Sequence, residues 1–303
     1  MLKGLALTPP IIGRIAIGKI VRKDGKRLPE KDDEFTITSQ VQSKDGWIPH
    51  PIDETLRGTQ GAKLRSIPVR LLFNDPDLNL RASYTLFERT TGRPLCVGDG
   101  ETCRRVTSAG MQTMPCPTPD VCEIGNGNCK PYGRLNVRLG EEDELGSFIF
   151  RTTGFNSIRT LAARLRYFYA VTGGLLSTLP LELRLRGKST VQSHRASIYY
   201  VDLTVRPGMS MGEAIGTARA DHEARRSLGF DQVALDAAAS NGFSAGAFEE
   251  SQEEGASVSE EFLFVEKSDA SDEPTGALSI KTNLSDKLDR KVASTLRRAR
   301  ATL

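Results

Sequence analysis

The chain has 303 residues, of which 38% are hydrophobic and 26% charged, and its formal net charge at pH 7 is +3. These values are ordinary for a globular protein with one large domain or two small ones. No run approaches the roughly 18 consecutive apolar residues that a membrane helix needs. Two prolines, Pro9 and Pro10, break the N-terminal apolar patch, which is too short for a signal peptide. We therefore expect a cytoplasmic protein, whose cysteines bind metal or stay free more often than they form disulfides.

The small net charge conceals a segregation of charge along the chain. Residues 249–273 carry ten acidic side chains and one lysine, a net charge of −9. Residues 281–303 carry seven basic and two acidic side chains, a net charge of +5, which leaves +7 for residues 1–248. A basic body followed by an acidic segment and a basic tail suits a polyanionic or nucleoprotein partner. An acidic linker that only keeps the chain in solution explains the pattern equally well.

Alternation of apolar and polar residues predicts strands in the first half of the chain. The predicted strands there are residues 14–23, 33–42, 67–73, 81–89, 133–140 and 146–154. Residues 23–32, which include Gly25 and Pro29, are predicted to form a loop between the first two strands.

The period then changes to that of a helix over residues 156–171, which the pair of glycines after Thr172 should end. Arg159, Arg164 and Arg166 lie mostly off the apolar face of this helix. That face holds Ile158, Leu161, Ala162, Leu165, Phe168 and Tyr169.

Two further strands and a second helix are predicted after this point. The strands cover residues 181–188 and 197–208. Ser210 and Glu213 form a capping-box pattern, so the helix should begin there and run to about Arg226. The element order lacks the alternation of strand and helix that a doubly wound sheet requires.

Three enzyme-like motifs are present, but each lacks a necessary part. Residues 13–19 match a phosphate-binding loop, yet Ile20 stands where a hydroxyl must hold magnesium. Ser244 has the flanking glycines of a hydrolase nucleophile elbow, but a helical pattern precedes it and no histidine follows. After His222 the zinc-protease motif fails, because Arg226 replaces the second histidine. We therefore expect no catalytic activity.

The cysteines are concentrated in one part of the chain. Zinc favours four thiolate ligands, and the glycines and prolines of this segment permit the tight turns that such a site needs. The spacing favours a metal site, although the short CxxC knuckle is missing and buried free cysteines remain the alternative. The five, all within 34 residues, are Cys96, Cys103, Cys116, Cys122 and Cys129.

These patterns predict an α+β protein with a strand-rich antiparallel barrel or sandwich core, of which an OB-like barrel is one form. The core should carry a cysteine zinc-binding insertion and C-terminal helices. Three regions are predicted: a basic core at residues 1–240 with the zinc site at 96–129, an acidic flexible linker at 241–280, and a basic C-terminal helix at 281–303.

Four segments resemble the recombination directionality factor-like proteins of phages and integrative elements, some of which are labelled "hydrolase or metal-binding protein". The resemblance covers about residues 10–206. The segments are RIAIGKIVRKDGKRLPEKDDEFTIT from Arg14, CVGDGETCRR from Cys96, CKPYGRLNVRLG from Cys129 and LGSFIFRTTGFNSIRTL from Leu145.

The resemblance implies a set of zinc ligands. Cys103 stands where relatives often have alanine, so it is the spare cysteine. With four thiolates and no open position, the zinc would be structural and would hold loops together. Asp99 is expected to cap the turn between Gly98 and Gly100. The cysteines that recur in the family correspond to Cys96, Cys116, Cys122 and Cys129.

The resemblance also implies a function. Such a protein binds a site-specific integrase, here of the large serine type, on its attachment-site DNA and favours excision. Arg159, Arg164 and Arg166 are the candidate partner- or DNA-binding residues, although a solvated helix face would look the same. The alternative is a zinc-containing protein of a mobile element that binds single-stranded or duplex DNA, which salt-dependent binding to random single strands would reveal.

Overall fold

A computed structural model describes residues 10–23, 26–44, 46–58, 61–88, 91–140, 145–189 and 197–243, together with Val258 and Phe262. Residues 19–23, 26–32, 242 and 243 are described through their backbone alone. Ser244 and the predicted basic helix at 281–303 lie outside the described residues.

The described residues form twelve strands, and all eight strands that the sequence predicts are among them. Strands β3, β6, β7 and β8 are additional. The strands are β1 (Ile11–Lys23), β2 (Lys26–Ser43), β3 (Gly46–Pro49), β4 (Ser66–Leu71), β5 (Leu80–Phe87), β6 (Pro94–Gly98), β7 (Thr102–Thr107), β8 (Gly110–Pro115), β9 (Lys130–Arg138), β10 (Ser147–Thr152), β11 (Leu181–Ser189) and β12 (Ser197–Val205).

The described residues also form five helices, which include the two long predicted ones. The left-handed backbone of Gly173, with φ of 70°, ends α3 as expected. Ser210 and Glu213 make both hydrogen bonds of the predicted capping box at the start of α4. No described helix is long and apolar enough to cross a membrane. The helices are α1 (Pro51–Arg57), α2 (Pro76–Asn79), α3 (Phe155–Thr172), α4 (Met211–Ser227) and α5 (Gln232–Phe243).

The strands build one branched sheet, which confirms the α+β class. Its main path runs β3-β2-β1-β10-β9-β5-β6-β7-β8, and all neighbours are antiparallel except β1 and β10. Strand β9 pairs with β5 along its first part and with β4 at Val137 and Arg138. Strand β4 then leads to β11 and β12. Because of this fork the described strands do not close into the predicted barrel, and an OB-like arrangement is not confirmed.

The predicted loop at residues 23–32 is mostly strand. Backbone pairing of β1 and β2 continues from Lys19 with Glu30 to Lys23 with Lys26, so only two residues separate the strands. Those two residues are Asp24 and Gly25, a dipeptide that is favoured in two-residue hairpin connections. The high charge and Pro29 suggested a loop, but a two-stranded ribbon tolerates both because it has open edges.

The main hydrophobic core lies between α3 and the two branches of the sheet. It includes Phe35, Phe148, Phe150, Leu161 and Leu183, each at most 2% exposed. Burying one side chain of this size stabilises the fold by about 1.5–3 kcal/mol.

Helix α3 turns its predicted apolar face inward, with one exception. Ile158, Leu161, Leu165 and Phe168 are buried, whereas Tyr169 is 45% exposed. A helix of 18 residues can present only part of its circumference to the core, and Tyr169 falls at the margin of the buried stripe.

Candidate metal site and partner-binding helix

The five cysteines lie at one end of the main sheet path. Cys96 is on β6 and Cys103 on β7, where Cys103 pairs with Gly98 across the two strands. Cys116 and Cys122 follow β8, and Cys129 directly precedes β9. Because Lys130 pairs with Thr85 of β5, the segment that holds the last three cysteines ends beside β5.

The turn between β6 and β7 has the structure that the sequence predicts. The Asp99 side chain accepts hydrogen bonds of 2.8 Å from the backbone N–H groups of both Glu101 and Thr102. Both hydrogen bonds lower the pKa of the Asp99 carboxyl, and the one from Thr102 contributes most. Gly100 has φ of 103°, a conformation that favours glycine. Asp99 therefore caps the turn and is a structural residue.

Gly98 allows two cysteines to approach the turn. A Cβ atom at this position would lie 2.7 Å from Cβ of Cys103 and 2.9 Å from Sγ of Cys116. Real Cβ atoms do not come so close to other heavy atoms. The glycine thus leaves the space in which Cys116 sits beside β6 and β7.

A second glycine has the same role between the last two cysteines. A Cβ atom on Gly125 would lie 3.0 Å from Cβ of Cys129 and 3.5 Å from Cβ of Cys122. The backbone turns tightly here, since the N–H of Asn126 donates to the carbonyl of Cys122 at 3.2 Å. Cys122 and Cys129 are thereby brought together although six residues separate them in the chain.

The thiols share one electrostatic environment. Burial raises the pKa of the Cys103 thiol to about 11, and Cys96 contributes to the shift. Burial also raises the pKa of Cys129 to about 11, with further contributions from Cys96, Cys122 and Cys116. Arg105 hydrogen-bonds to Cys96, which raises the pKa of the Arg105 guanidinium. Each of the five cysteines is therefore close enough to influence at least one other.

This donor set suits a thiophilic cation. Burial and the neighbouring thiols oppose ionisation of Cys103 and Cys129, and a bound divalent cation would favour thiolates, because metal binding requires deprotonated thiols. Within the part of the chain that the structure describes, no three His, Cys, Asp or Glu side chains are already arranged to hold a metal ion. The zinc site at Cys96, Cys116, Cys122 and Cys129 therefore remains a prediction, and so does the sparing of Cys103.

The three candidate arginines of α3 differ in their surroundings. Arg164 donates to the buried carboxylate of Asp202 at 2.9 Å, and this hydrogen bond raises the pKa of Arg164. Arg159 is exposed. Arg166 is 73% exposed and lies 4.0 Å from the equally exposed Asp77. Arg164 thus forms an ion pair within the fold, whereas Arg159 and Arg166 are exposed to solvent.

Aromatic side chains accompany these arginines on the outer face of α3. Phe155 is 54% and Tyr167 51% exposed. Phe155 and Arg159 are neighbours four residues apart, Arg166 follows seven residues later on the same side, and Tyr167 is next to Arg166, so these four exposed residues form an outer stripe. Composition alone indicates no role for Phe155 and Tyr167, although the helical spacing that predicts the buried face also predicts that these two residues lie outside it.

A cleft of about 820 Å³ joins the stripe to the cysteine region. Its lining includes Phe155, Cys122, Cys129 and Lys130. The first residue of α3 and the loop that carries Cys122 and Cys129 therefore line the same surface.

Comparison with known families identifies the chain. The model of the Gp3-like family, described as recombination directionality factor-like, matches residues 12–206. The chain belongs to this family. No curated protein and no solved structure matches the chain.

Both candidate sites lie in the part that is typical of recombination directionality factor-like proteins. Residues 12–206 contain all five cysteines and the whole of α3. The acidic segment and the basic tail lie outside the match, so the family supports no statement about them.

Gly98→Ala is expected to lower the free energy of unfolding by about 1–3 kcal/mol, because the added methyl group overpacks the contact with Cys103 and Cys116. Thermal unfolding measures the effect. Gly212→Ala is the matched control, since its Cβ would meet no atom within 4 Å and alanine favours the helix by about 1 kcal/mol. Equal stability of the two variants would show that the close approach at Gly98 is not required.

Proposed function

We propose that this protein is a directionality factor that binds a serine integrase on its attachment-site DNA and favours excision over integration. It catalyses no reaction of its own. The observation that carries the proposal is the family match over residues 12–206. The incomplete enzyme-like motifs are consistent with a protein that acts by binding.

A binding protein changes the direction of a reaction only if it prefers one arrangement of the complex. A preference of about 3 kcal/mol for the excisive arrangement shifts the equilibrium by roughly a hundredfold. The factor therefore needs a rigid surface that recognises the position of integrase domains, and it needs no chemistry.

The outer stripe of α3 is the surface that we assign to the integrase. Aromatic and arginine side chains are the residues that contribute most to protein interfaces. Phe155, Arg159, Arg166 and Tyr167 provide both types on a helix whose opposite face is firmly packed. Rigidity is important here, because a mobile surface would fit both arrangements of the complex and distinguish neither.

The predicted zinc ion would support this surface indirectly. Cys96, Cys116, Cys122 and Cys129 would hold it, and the bound ion would cross-link loops that are otherwise short of hydrophobic core. Cys122 and Cys129 also line the cleft beside Phe155. Their fixation would preserve the shape of the cleft.

A recombination assay with the integrase of the same genetic element tests the function. Added protein should permit excision between the hybrid attachment sites and inhibit integration between the original ones. If recombination is unchanged while random single-stranded DNA is bound at submicromolar concentration, the DNA-binding alternative replaces the proposal.

Arg164→Ala separates the structural arginine from the surface arginines. Because Arg164 is partly exposed and Arg186 also contacts Asp202, the loss of free energy of unfolding should be only about 0.5–1 kcal/mol. Recombination activity should be unchanged at a temperature where the variant is folded. A large loss of activity without a loss of stability would instead assign Arg164 to the interface.

A further inference from the structure

The sheet face that points away from α3 carries a row of three arginines. Arg81 on β5 pairs with Arg134 on β9, and Arg134 pairs with Arg151 on β10. Residues that pair across antiparallel strands project from the same face, so the three guanidinium groups are neighbours. Gly133 identifies this face. A Cβ atom on Gly133 would lie 2.9 Å from Ile158 of α3, so Gly133 faces the helix. Successive residues of a strand point to opposite faces, so Arg134 points away from α3.

An aromatic patch lies beside the arginine row. Tyr132 precedes Arg134 by two residues on the same face, and the Arg134 guanidinium lies 5.7 Å from the centre of the Tyr132 ring. Phe87 packs edge-on against Tyr132 with 5.1 Å between ring centres. Tyr132 is only 3% and Arg151 only 5% exposed, so this face is covered rather than open to water.

Part of the cover comes from the segment that the sequence predicts to be a flexible linker. Val258 is fully buried and packs with Phe87 and Tyr132. Phe262 lies edge-on to Tyr132, with 6.0 Å between ring centres. The spacing of Val258 and Phe262 is that of neighbours on one face of a helix. The chain therefore returns to the sheet at these two residues.

The residues around these two anchors are strongly acidic. Residues 249–265 contain six glutamates and no basic residue. Glu260 and Glu261 stand between the anchors in the sequence, and each residue of chain spans at most about 3.6 Å. The length of the chain therefore allows carboxylates of this segment to reach Tyr132 and the adjacent Arg134.

We propose that Arg81, Arg134, Arg151 and Tyr132 form a docking face for an acidic peptide, and that residues 249–265 of this chain occupy it. Arg151 is buried, and Arg81 and Arg134 are partly buried. Guanidinium groups in such surroundings favour anionic partners, and carboxylates match their planar donor geometry. Val258 and Phe262 supply the apolar anchors, and the glutamates supply the charge. The proposal is independent of the integrase hypothesis, because it depends only on contacts within this chain.

Hydrogen exchange of the full-length protein, followed by mass spectrometry, tests the docking. In Val258→Asp the amides of residues 255–265 should exchange about tenfold faster than in the wild type, because the buried anchor is lost. Glu260→Lys combined with Glu261→Lys should have a similar effect, and so should Arg134→Glu. Arg166→Glu is the control, since this exposed arginine lies on α3. Unchanged exchange in α3 shows that each variant is folded.

Salt provides a test that needs no substitution. At about 1 M salt the Debye length falls to about 3 Å, so exchange of residues 255–265 should accelerate in the wild type. If Val258→Asp accelerates exchange but charge reversal and salt do not, the segment docks through apolar contacts alone and the arginine row is not its partner. If no variant changes exchange, the segment does not dock. Either result overturns the proposal.

Discussion

Cys122→Ala is expected to release the zinc ion and to unfold residues 116–129. Three thiolates bind zinc far more weakly than four, and a structural zinc ion contributes about 10 kcal/mol or more to folding at neutral pH. Elemental analysis of protein purified without added metal should find one zinc per chain in the wild type and almost none in the variant. The unfolding temperature should fall as well, because the segment has few buried apolar residues to replace the ion.

Cys103→Ala is the matched control for this prediction. It removes the same atoms from a cysteine that is only 2% exposed, so the small cavity should cost about 1–2 kcal/mol of stability. The zinc content should remain one per chain. If Cys103→Ala loses zinc and Cys116→Ala retains it, Cys103 is a zinc ligand and Cys116 is the spare cysteine.

The wild-type protein provides the strictest test of the site. Cysteines that bind zinc resist alkylation in the native state, because their sulfur lone pairs are engaged. Absence of zinc, together with rapid alkylation of Cys96 and Cys116 in the native protein, would show that the cluster consists of free thiols.

Sequence periodicity predicted the elements that have one buried and one exposed face. The inward face of α3, the capping box at Ser210 and the cap at Asp99 follow local rules, and the structure confirms them. Strands β6, β7 and β8 were not predicted, because they are short and their apolar residues do not alternate with polar ones. Every residue of β8 is exposed or partly exposed, so no apolar period exists to be detected.

Contacts between distant parts of the chain could not be predicted in this way. The pairing of Arg164 with Asp202 depends on how α3 packs against β12, and nothing local to Arg164 indicates it. The same holds for Val258, whose acidic surroundings suggest a linker although the side chain is fully buried. Average composition describes a whole segment and does not show that a single apolar residue within it is buried.

The proposed site combines both kinds of information. The concentration of cysteines identified the region, but only the fold shows that Gly98 leaves room for Cys116 beside Cys103 and that Gly125 leaves room for Cys122 beside Cys129. Likewise the sequence placed the arginines on α3, and the fold shows that the aromatic residue Phe155 extends their surface to the cleft.

Replacement of both exposed arginines, Arg159→Glu with Arg166→Glu, is expected to weaken the effect of the protein on recombination. Loss of two arginines from an interface costs about 2 kcal/mol or more. About thirty times more protein should therefore be needed for half-maximal excision. Inhibition of integration should weaken by the same factor, because one binding event causes both effects.

The control must carry the same change of charge at another place. Arg219→Glu with Arg226→Glu alters two exposed arginines of α4 and should leave both activities near the wild-type level. The unfolding temperature of both double variants should stay within a few degrees of the wild type, since surface substitutions change stability by about 0.5 kcal/mol or less. Equal losses in the two double variants would show that net charge alone governs binding, and α3 would then not be the integrase-binding surface. Loss of excision with integration still fully inhibited would show that two different surfaces act, which would contradict a single interface on α3.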